Sequence, residues 1–395
     1  MYLKHIFYAF CRIMIIGHEF EVLMKVVFKN IIKDKVFVIA GIIMMITMFI
    51  IPPSTLYLSY MNYKVLIIMF TIMLAVAGLY ETHLFDFIAT RLVIKFKTIK
   101  WVSLILVLST FFLAMFLTND AVLLTLIPFT LFIMKHAKQE KFALITIILQ
   151  TIAANLGSAL TPMGDPQNIY LFAYYEIPFK TFLSITAPIT ALGFILITST
   201  ALIKIPNIPV TLNLQAPEVN WKRVGLYALL LLNALFVVLR LVPEWYTIYV
   251  TLILGLAYGR HLFKRVDYGL LLTFVAFFII TGNLGQMDSI FNLFDKVLSS
   301  PHQVFLTALG TSQIISNVPA AVLLSTFTKP MYYPALLTGV NVGALGSIIG
   351  SLASLITFKY VIREFPELMK KYLLNYTIIS IIFIIIIGGV MLIIL

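Results

Sequence analysis

The chain has 395 residues, of which 61% are hydrophobic and 11% are charged. Soluble domains carry about 25% charged residues, and the mean hydropathy here is +1.04, so the composition indicates a protein whose main solvent is lipid. The formal net charge is +12, but the basic residues stand in short loops between apolar spans. That distribution is typical of membrane topology and argues against a nucleic-acid partner. The single cysteine, Cys11, excludes a disulfide framework.

The N-terminal segment, residues 1–35, is expected to form an interfacial segment on the membrane surface. Its apolar stretch, residues 5–16, is short and is interrupted by Arg12. No small-residue cleavage site follows this stretch, so a signal peptide is not expected. An interfacial helix is the first interpretation, and an additional membrane crossing is the alternative.

The rest of the chain contains a series of apolar windows that match membrane spans. Crossing a hydrocarbon core of ~30 Å takes roughly 20 residues. Unbroken windows are 36–53, 65–80, 181–203, 224–241, 245–259, 268–285 and 372–395. Windows 142–174 and 331–358 carry polar, Gly- or Pro-marked interruptions, which predict broken transmembrane helices. Windows 101–134 and 303–328 are too long for one crossing and carry a polar motif near the middle, so each is expected to be a re-entrant hairpin.

Loop charges give these elements an orientation. Lys95, Lys97 and Lys100 precede the first hairpin, and Lys138 and Lys141 follow it. When the spans are counted along the chain, every loop on one side is basic, and the positive-inside rule assigns that side to the cytoplasm. The opposite side holds only Lys64, Lys180, Arg240, Lys296 and Lys329. The same count makes the first hairpin enter from the cytoplasmic side and the second from the opposite side.

Opposed hairpins predict an inverted repeat of two halves. The first half is residues 36–204 and the second is 223–395, and the Pro-rich segment 205–222 is the linker between them. Short amphipathic stretches at 85–98 and 287–298 stand before the two hairpins and are expected to lie along the membrane surface. The predicted fold is therefore an all-α polytopic membrane protein.

The hairpin motifs correspond between the halves. They read Thr118-Asn119-Asp120 in the first copy and Ser316-Asn317-Val318 in the second. A carboxamide offers an acceptor and two donors without charge. Exposed carbonyls at an unwound tip suit Na⁺, and helix N-termini suit an anion, so a Na⁺ site is predicted at Asn119, Asp120 and Asn317. The alternative is that these residues only cap the second arm of each hairpin.

The broken helices also carry corresponding motifs. The candidate site residues are Asn155, Gly157, Thr161, Gly164, Asp165 and Asn168 in the first copy, and Asn341, Gly343, Gly350, Ser351 and Ser354 in the second. Glycines permit a sharp backbone path and close approach to a ligand. Helix packing through small residues is the alternative. It accounts for Gly343, but it does not account for Asp165 and Asn168 together.

Two acidic residues stand inside the predicted membrane region of the first half. Asp120 is the only charged residue of the first hairpin window, and Asp165 is the only one of the first broken-helix window. Ionisable residues at such depth are costly and usually functional, so both are candidates to bind a cation or to carry a proton. A helix cap or a turn is the alternative role. The second half has Val318 and Ser351 at the corresponding positions.

Enzymatic signatures are missing from the sequence. The His residues have no ligand-like spacing, no Gly-rich phosphate loop with Lys-Ser or Lys-Thr occurs, and no nucleophile and base pattern stands out. We therefore expect no enzymatic activity and no cofactor beyond a bound Na⁺.

At these motifs the chain resembles the ion transporter superfamily, which contains divalent anion/sodium symporters, citrate transporters, arsenite permeases and some Na⁺/H⁺ antiporters. The hairpin motifs look like the Ser-Asn-Thr signatures of the dicarboxylate/sodium members, and they depart from them at Thr118, Asp120 and Val318. The run 350–355 is similar to one in arsenite permeases, and the segment 155–168 is most like bacterial anion permeases. The resemblance covers about residues 36–390.

The resemblance implies a transport domain of hairpins and broken helices, which moves like an elevator against a scaffold that usually dimerises. The expected protein is a homodimeric, multi-pass secondary transporter of the bacterial inner membrane. Its expected substrate is a small carboxylate or inorganic oxyanion moved with Na⁺ or H⁺, with Asn119, Asn155, Asn317 and Asn341 around the substrate or ion. A cation/proton antiporter and an arsenite-type efflux permease are the alternatives. A membrane enzyme, a receptor or a channel fits the paired motifs less well.

Overall fold

The computed structural model describes residues 35–212 and 214–395, and these residues form helices joined by turns and loops. Residues 1–34 of the predicted interfacial segment lie outside the described residues. The first helix begins at Lys35. One antiparallel β-bridge joins Thr98 to Pro209. It brings the linker against the chain that leads into the first hairpin, because Val210 N–H donates to the Lys97 carbonyl at 2.8 Å.

The first half contains the following helices, in chain order: α1 (Lys35–Ile50), α2 (Leu56–Tyr60), α3 (Tyr63–Glu81), α4 (Leu84–Val93), α5 (Ile99–Leu113), α6 (Asn119–His136), α7 (Ala143–Ser158), α8 (Pro166–Tyr174) and α9 (Phe179–Lys204). The predicted first hairpin corresponds to α5 and α6. The predicted first broken helix corresponds to α7 and α8, and the amphipathic stretch to α4.

The second half contains α10 (Trp221–Val238), α11 (Glu244–Tyr258), α12 (Tyr268–Gly285), α13 (Asp288–Val297), α14 (Pro301–Ile315), α15 (Asn317–Ser325), α16 (Tyr333–Gly343), α17 (Leu352–Glu364) and α18 (Met369–Ile394). Helix α10 begins inside the range predicted as linker, because the Asn220 side chain caps it by accepting from Arg223 N–H at 3.2 Å. The second hairpin window corresponds to α14 and α15, and the second broken helix to α16 and α17.

Several of these helices are long and apolar enough to cross a membrane. Within the described residues six stretches meet that condition by length and composition: Tyr63–Glu81, Glu140–Ser158, Phe179–Lys204, Trp221–Val238, Tyr268–Gly285 and Pro366–Ile394. The predicted all-helical, polytopic architecture is confirmed at this level.

Local chemistry explains where the broken elements stop. Pro166 occupies the start of α8, where its missing N–H costs no helical hydrogen bond, and Asp165 before it is extended. The second hairpin reverses within one residue, because Ser316 has φ +77° and ψ 156°. This conformation is rare for a residue with a Cβ and costs about 1–3 kcal/mol, so the surrounding contacts must hold it.

The helices pack into two groups. In the first group, α3 packs against α10 and α11, and α1 packs against α12. In the site-bearing group, α5 packs on α7, α14 packs on α16, and α18 packs on α9, α16 and α17. The second arm of each hairpin packs on the second part of the opposite broken helix, since α6 contacts α17 and α15 contacts α8. This crossed packing brings the interruptions of both halves together.

Candidate functional site

The two hairpin tips meet at one carboxylate. Asn119 Nδ2 donates to Asp165 Oδ2 at 2.8 Å, and Asn317 Nδ2 donates to the same oxygen at 3.4 Å. The three residues are only 1–3% exposed. Both carboxamides donate to the same oxygen, so Asp165 joins the two tips. The sequence predicted one site at Asn119, Asp120 and Asn317, and in the structure the two carboxamides meet at Asp165.

Each tip is also attached to the interruption of its own half through the backbone. Asn119 N–H donates to the Gly164 carbonyl at 3.1 Å, and Asn317 N–H donates to the Gly350 carbonyl at 2.9 Å. The first N–H groups of a helix have no partner within the helix, so these bonds satisfy donors that would otherwise be buried and unpaired.

In both halves a hydroxyl side chain of the interruption also contacts the first arm of the hairpin. The Thr161 hydroxyl donates to the Met115 carbonyl, and Ser347 Oγ donates to the Gln313 carbonyl at 3.3 Å. Gln313 Nε2 also donates to the Gly343 carbonyl at 2.7 Å. Gln313 therefore joins the second hairpin to the second interruption.

Reciprocal hydrogen bonds join the two broken helices. Asn155 Nδ2 donates to Ser354 Oγ at 3.0 Å, and Asn341 Nδ2 donates to Asn168 Oδ1 at 2.8 Å. Asn155 corresponds in sequence to Asn341, and Ser354 corresponds to Asn168. The first residue of each motif thus contacts the last residue of the other.

Asn155 links this crossing to the tips. Its Oδ1 accepts from Asn119 Nδ2 at 3.3 Å and from Ser351 Oγ at 2.9 Å. A continuous set of buried hydrogen bonds therefore runs from Ser354 through Asn155 and Asn119 to Asp165. A change at any of these residues leaves another buried polar group without its partner.

Three buried oxygens at the site accept no hydrogen bond among the described residues. They are Asp120 Oδ1, Gln167 Oε1 and Asn341 Oδ1. Asp120 lies on the first turn of α6, and its own N–H donates to Asn119 Oδ1 at 2.9 Å. A buried acceptor without a donor is costly, and it suits a cation or a proton.

The residues at the N-cap positions of the tips and interruptions do not use their side chains as caps. Thr118, Asp165, Ser316 and Ser351 all occupy N-cap positions, yet none of their side chains makes a cap hydrogen bond. Asp165 instead receives the two tip carboxamides, and Ser351 donates to Asn155.

The glycines of the motifs stand where backbones touch. A Cβ on Gly157 would overlap the Phe111 carbonyl, and a Cβ on Gly343 would lie 2.7 Å from Ser312 Cβ. On Gly164 a Cβ would overlap the Ser158 carbonyl. These positions match the packing alternative, and close packing is also what places Asn155 and Asp165 beside the hairpin tips.

The ion pairs of the described residues lie away from this cluster. Glu81 pairs with Arg265 at 2.7 Å and with His261 at 2.6 Å where α3 ends. None of the ion pairs found in the described ranges involves Asp120 or Asp165. The hydrogen-bond partners in the cluster are carboxamides, hydroxyls and carbonyls. Among the described residues no group of three His, Cys, Asp or Glu side chains is placed to hold a metal ion.

Tyr376 is a residue of this network that sequence reasoning missed. Tyr376 on α18 is fully buried, and its hydroxyl lies 2.8 Å from Ser354 Oγ. The sequence of α18 predicts only a membrane span, because most of its residues are aliphatic. A tyrosine at a fully buried point in such a span was the available signal, since its hydroxyl needs a partner there.

A separate cavity of about 620 Å³ lies between the two helix groups. Its lining combines residues of the α2–α3 turn and α12 with Tyr170 and Tyr174 of α8. The Tyr170 hydroxyl lies 2.7 Å from Ser325 Oγ. None of the predicted site residues lines this cavity.

Comparison with known proteins agrees with a transport role. A family model described as "Citrate transporter" matches residues 23–350. The chain is 31% identical over 296 residues to "Inner membrane protein YbiR" of Escherichia coli, covering 73% of this chain and 77% of that protein. It is 31% identical over 333 residues to "Uncharacterized transporter MJ0456" of Methanocaldococcus jannaschii, covering 82% and 87%. The predicted resemblance to a superfamily that includes citrate transporters is confirmed. The chain belongs to the citrate transporter family and is an integral membrane transport protein rather than an enzyme.

Proposed function

We propose that this protein is a secondary active transporter that moves a small carboxylate or inorganic oxyanion together with Na⁺ or H⁺. The observation that carries the proposal is the convergence of Asn119 and Asn317, one from each hairpin tip, on the buried carboxylate of Asp165. A site held between two symmetric-looking hairpins can be presented to one side of the membrane or the other as a unit.

The acidic side of the cluster supports a cation site. Asp165 and the unpaired Oδ1 of Asp120 supply negative charge, and Asn119 and Asn317 supply carboxamide oxygens. The carbonyls that end each interruption, at Gly164 and Gly350, accept one hydrogen bond each and retain a second lone pair. Unwound carbonyls of this kind coordinate Na⁺ in discontinuous-helix transporters.

The helix ends support an anion beside that cation. Helices α6, α8, α15 and α17 all begin in the cluster, and each begins with buried or half-buried residues. The N-terminus of a helix carries partial positive charge and free N–H groups, so anions are stabilised there. A bound Na⁺ or H⁺ then neutralises the acids, which makes anion binding depend on the cation.

The packing supports an elevator mechanism built on an inverted repeat. The crossed contacts of α6 with α17 and of α15 with α8 make the site-bearing group one unit. The other group, with α1, α3, α10, α11 and α12, is the proposed scaffold, and it contacts that unit mainly through α3 with α8 and α12 with α15. We propose that the site-bearing group slides along those contacts, and that the scaffold forms a homodimer. We propose that the basic loops face the cytoplasm. We also propose that the protein lies in a bacterial inner membrane, because the Escherichia coli relative is named an inner membrane protein.

Transport by purified protein in liposomes tests this function. A thermal-shift screen against oxyanions, carboxylates and monovalent cations first selects ligands, because specific binders stabilise the folded state. Uptake of a selected anion is then measured under an imposed inward Na⁺ or H⁺ gradient. We expect one gradient to accelerate uptake and to drive accumulation. Anion movement that follows only its own gradient would reject the symport mechanism.

A cation/proton antiporter is the second candidate, and one observation favours it. The cluster contains the buried carboxyl group of Asp165, and Asp120 follows the cluster residue Asn119 on the first turn of α6. Among the described residues, no Lys or Arg side chain forms a hydrogen bond with the cluster. The absence of a Lys or Arg partner also suits a neutral substrate such as arsenite. Proton flux driven by Na⁺ with no anion present would favour the antiporter and reject the symporter.

A further inference from the structure

We propose that Gln167 is a substrate-binding residue, whose carboxamide makes a two-point contact with an oxyanion or carboxylate that keeps one proton. The inference rests on the proposed function, because it names the form of the anion that the site takes. Gln167 follows Pro166 at the start of α8, two residues after Asp165.

The Gln167 side chain is fully buried, and both of its polar atoms lack a partner. Its exposed fraction is 0%, and neither Oε1 nor Nε2 forms a hydrogen bond with the described residues. The side chain lies beside the Asp165 carboxyl group without meeting it in hydrogen-bond geometry, so it faces the cluster. A buried donor and a buried acceptor left unpaired are costly, and a ligand that pairs both would offset that cost.

Gln150 shows how the same group of helices treats a buried carboxamide that belongs to the framework. It lies on α7 and its exposed fraction is also 0%. Its Oε1 accepts from Thr130 Oγ1 at 2.9 Å, and its Nε2 donates to Thr110 Oγ1 at 3.0 Å. The framework glutamine therefore has a partner at each end, whereas Gln167 has a partner at neither.

The second half shows that the start of the helix does not need this carboxamide. Asn168 corresponds to Ser354, so Gln167 corresponds to Ala353. Ala353 is fully buried on the first turn of α17, and that helix begins without a polar side chain at this position. Helix formation and packing alone therefore do not account for a glutamine in the first half.

The two ends of the carboxamide identify the class of ligand. Nε2 donates and Oε1 accepts, so a two-point contact needs an acceptor oxygen beside a proton donor on the ligand. A fully deprotonated oxyanion or carboxylate offers acceptors only, and a bare cation pairs only with Oε1. An oxyanion that keeps one proton, such as hydrogen phosphate, offers both, as does a protonated carboxyl group.

The charge of the cluster favours the same ligand. The cluster contains the carboxyl group of Asp165, and among the described residues no Lys or Arg side chain forms a hydrogen bond with it. The positive end of α8 supplies only a partial charge. A retained proton lowers the negative charge of the ligand, so less positive charge is needed to hold it.

Gln167→Met tests the inference, with Gln150→Met as the matched control. Methionine fills a similar volume and removes both polar atoms. Because Gln167 has no partner, Gln167→Met should leave the Tm of the ligand-free protein unchanged or raise it. Gln150→Met leaves Thr110 and Thr130 without their partner, so it should lower the Tm.

The measurement is thermal unfolding of the full-length purified protein at pH 7, with constant Na⁺ concentration and ionic strength. The probes are two matched pairs of anions. Phosphate keeps a proton at this pH and sulfate does not, and succinamate carries a carboxamide where succinate carries its second carboxylate. We expect the wild type to prefer the donor-bearing member of a pair about tenfold or more in half-saturating concentration, the effect of one to two hydrogen bonds. Gln167→Met should lose this preference, and Gln150→Met should keep it.

The outcomes separate this inference from the proposed function. If anions stabilise the wild type, equal anion binding by Gln167→Met would overturn the inference alone. Binding of sulfate and succinate as tight as that of phosphate and succinamate would do the same, as would a fall in ligand-free Tm as large in Gln167→Met as in Gln150→Met. A wild-type protein that no oxyanion or carboxylate stabilises would overturn the proposed function, and this inference with it.

Discussion

Asn341 and Asn168 stand on opposite sides of the linker, yet Asn341 Nδ2 donates to Asn168 Oδ1 at 2.8 Å. The corresponding pair, Asn155 and Ser354, makes the reciprocal bond at 3.0 Å. The two interruptions are therefore interlocked, and neither half completes the cluster by itself.

This interlock predicts energetic coupling between the halves. We expect Asn168→Ala and Asn341→Ala to be non-additive in thermal unfolding, with a coupling of about 0.5–3 kcal/mol, because each single variant already breaks the same buried bond. Asn168→Ala combined with Asn220→Ala is the control pair, since Asn220 caps α10. If the effects of both pairs of variants are additive, the hydrogen bond between Asn168 and Asn341 contributes no coupling energy.

The hairpin tips predict a loss of transport without a loss of folding. Asn119→Ala and Asn317→Ala each remove a carboxamide that donates to Asp165, a bond of about 1.5–3 kcal/mol, so uptake should fall about 10- to 100-fold or more. Expression and elution as a single species check folding. Asn220→Ala, which removes only a helix cap, should transport normally. Undiminished uptake by both tip variants would contradict the site.

Asp120 is predicted to decide whether transport senses protons. Its Oδ1 is buried without a hydrogen-bond partner among the described residues, so it is the acid that is free to exchange a proton. Asp120→Asn should therefore remove the pH dependence of uptake measured between pH 5 and 8. Asp288→Asn, at an exposed acid on α13, should leave the profile intact. An unchanged profile in Asp120→Asn would reject its role as the proton carrier.

Gly157 is predicted to tolerate no side chain. A Cβ there would overlap the Phe111 carbonyl, so Gly157→Ala should destabilise the protein by about 1–3 kcal/mol and displace Asn155 two residues earlier. Gly310→Ala is the matched control on α14, where the added Cβ meets open space and helix propensity improves by up to about 1 kcal/mol. Thermal unfolding and uptake should separate the two variants. Similar stability in both would argue against close packing at Gly157.

Opposed hairpins predict opposite labelling of their flanks. In a Cys11→Ser background, Lys141→Cys should react with a membrane-impermeant maleimide only from the cytoplasmic side, and Lys296→Cys only from the other side. Both side chains are exposed, so reagent access depends on topology alone. Labelling of both positions from one side would rule out the inverted arrangement of the hairpins.

Local sequence patterns predict the positions of most helices and of the interruptions. Hydrophobic length located most of the membrane-spanning helices, and α12 begins and ends at the residues predicted for its window. Proline at 166 and the glycine-rich motifs located the interruptions, because they act on the backbone within a few residues. The matched Asn119 and Asn317 identified the tips for the same local reason.

Through-space relationships needed the tertiary structure. Asp120 and Asp165 are equivalent as buried acids in the sequence, and only packing shows that the tip carboxamides of Asn119 and Asn317 both donate to Asp165. Tyr376 contacts Ser354 from a helix whose sequence predicts only a membrane span. Composition and periodicity determined that the chain is a membrane protein with paired polar interruptions, because those signals are local. Which residues share one cluster was decided by helix packing between residues far apart in the chain, where no local pattern carries the information.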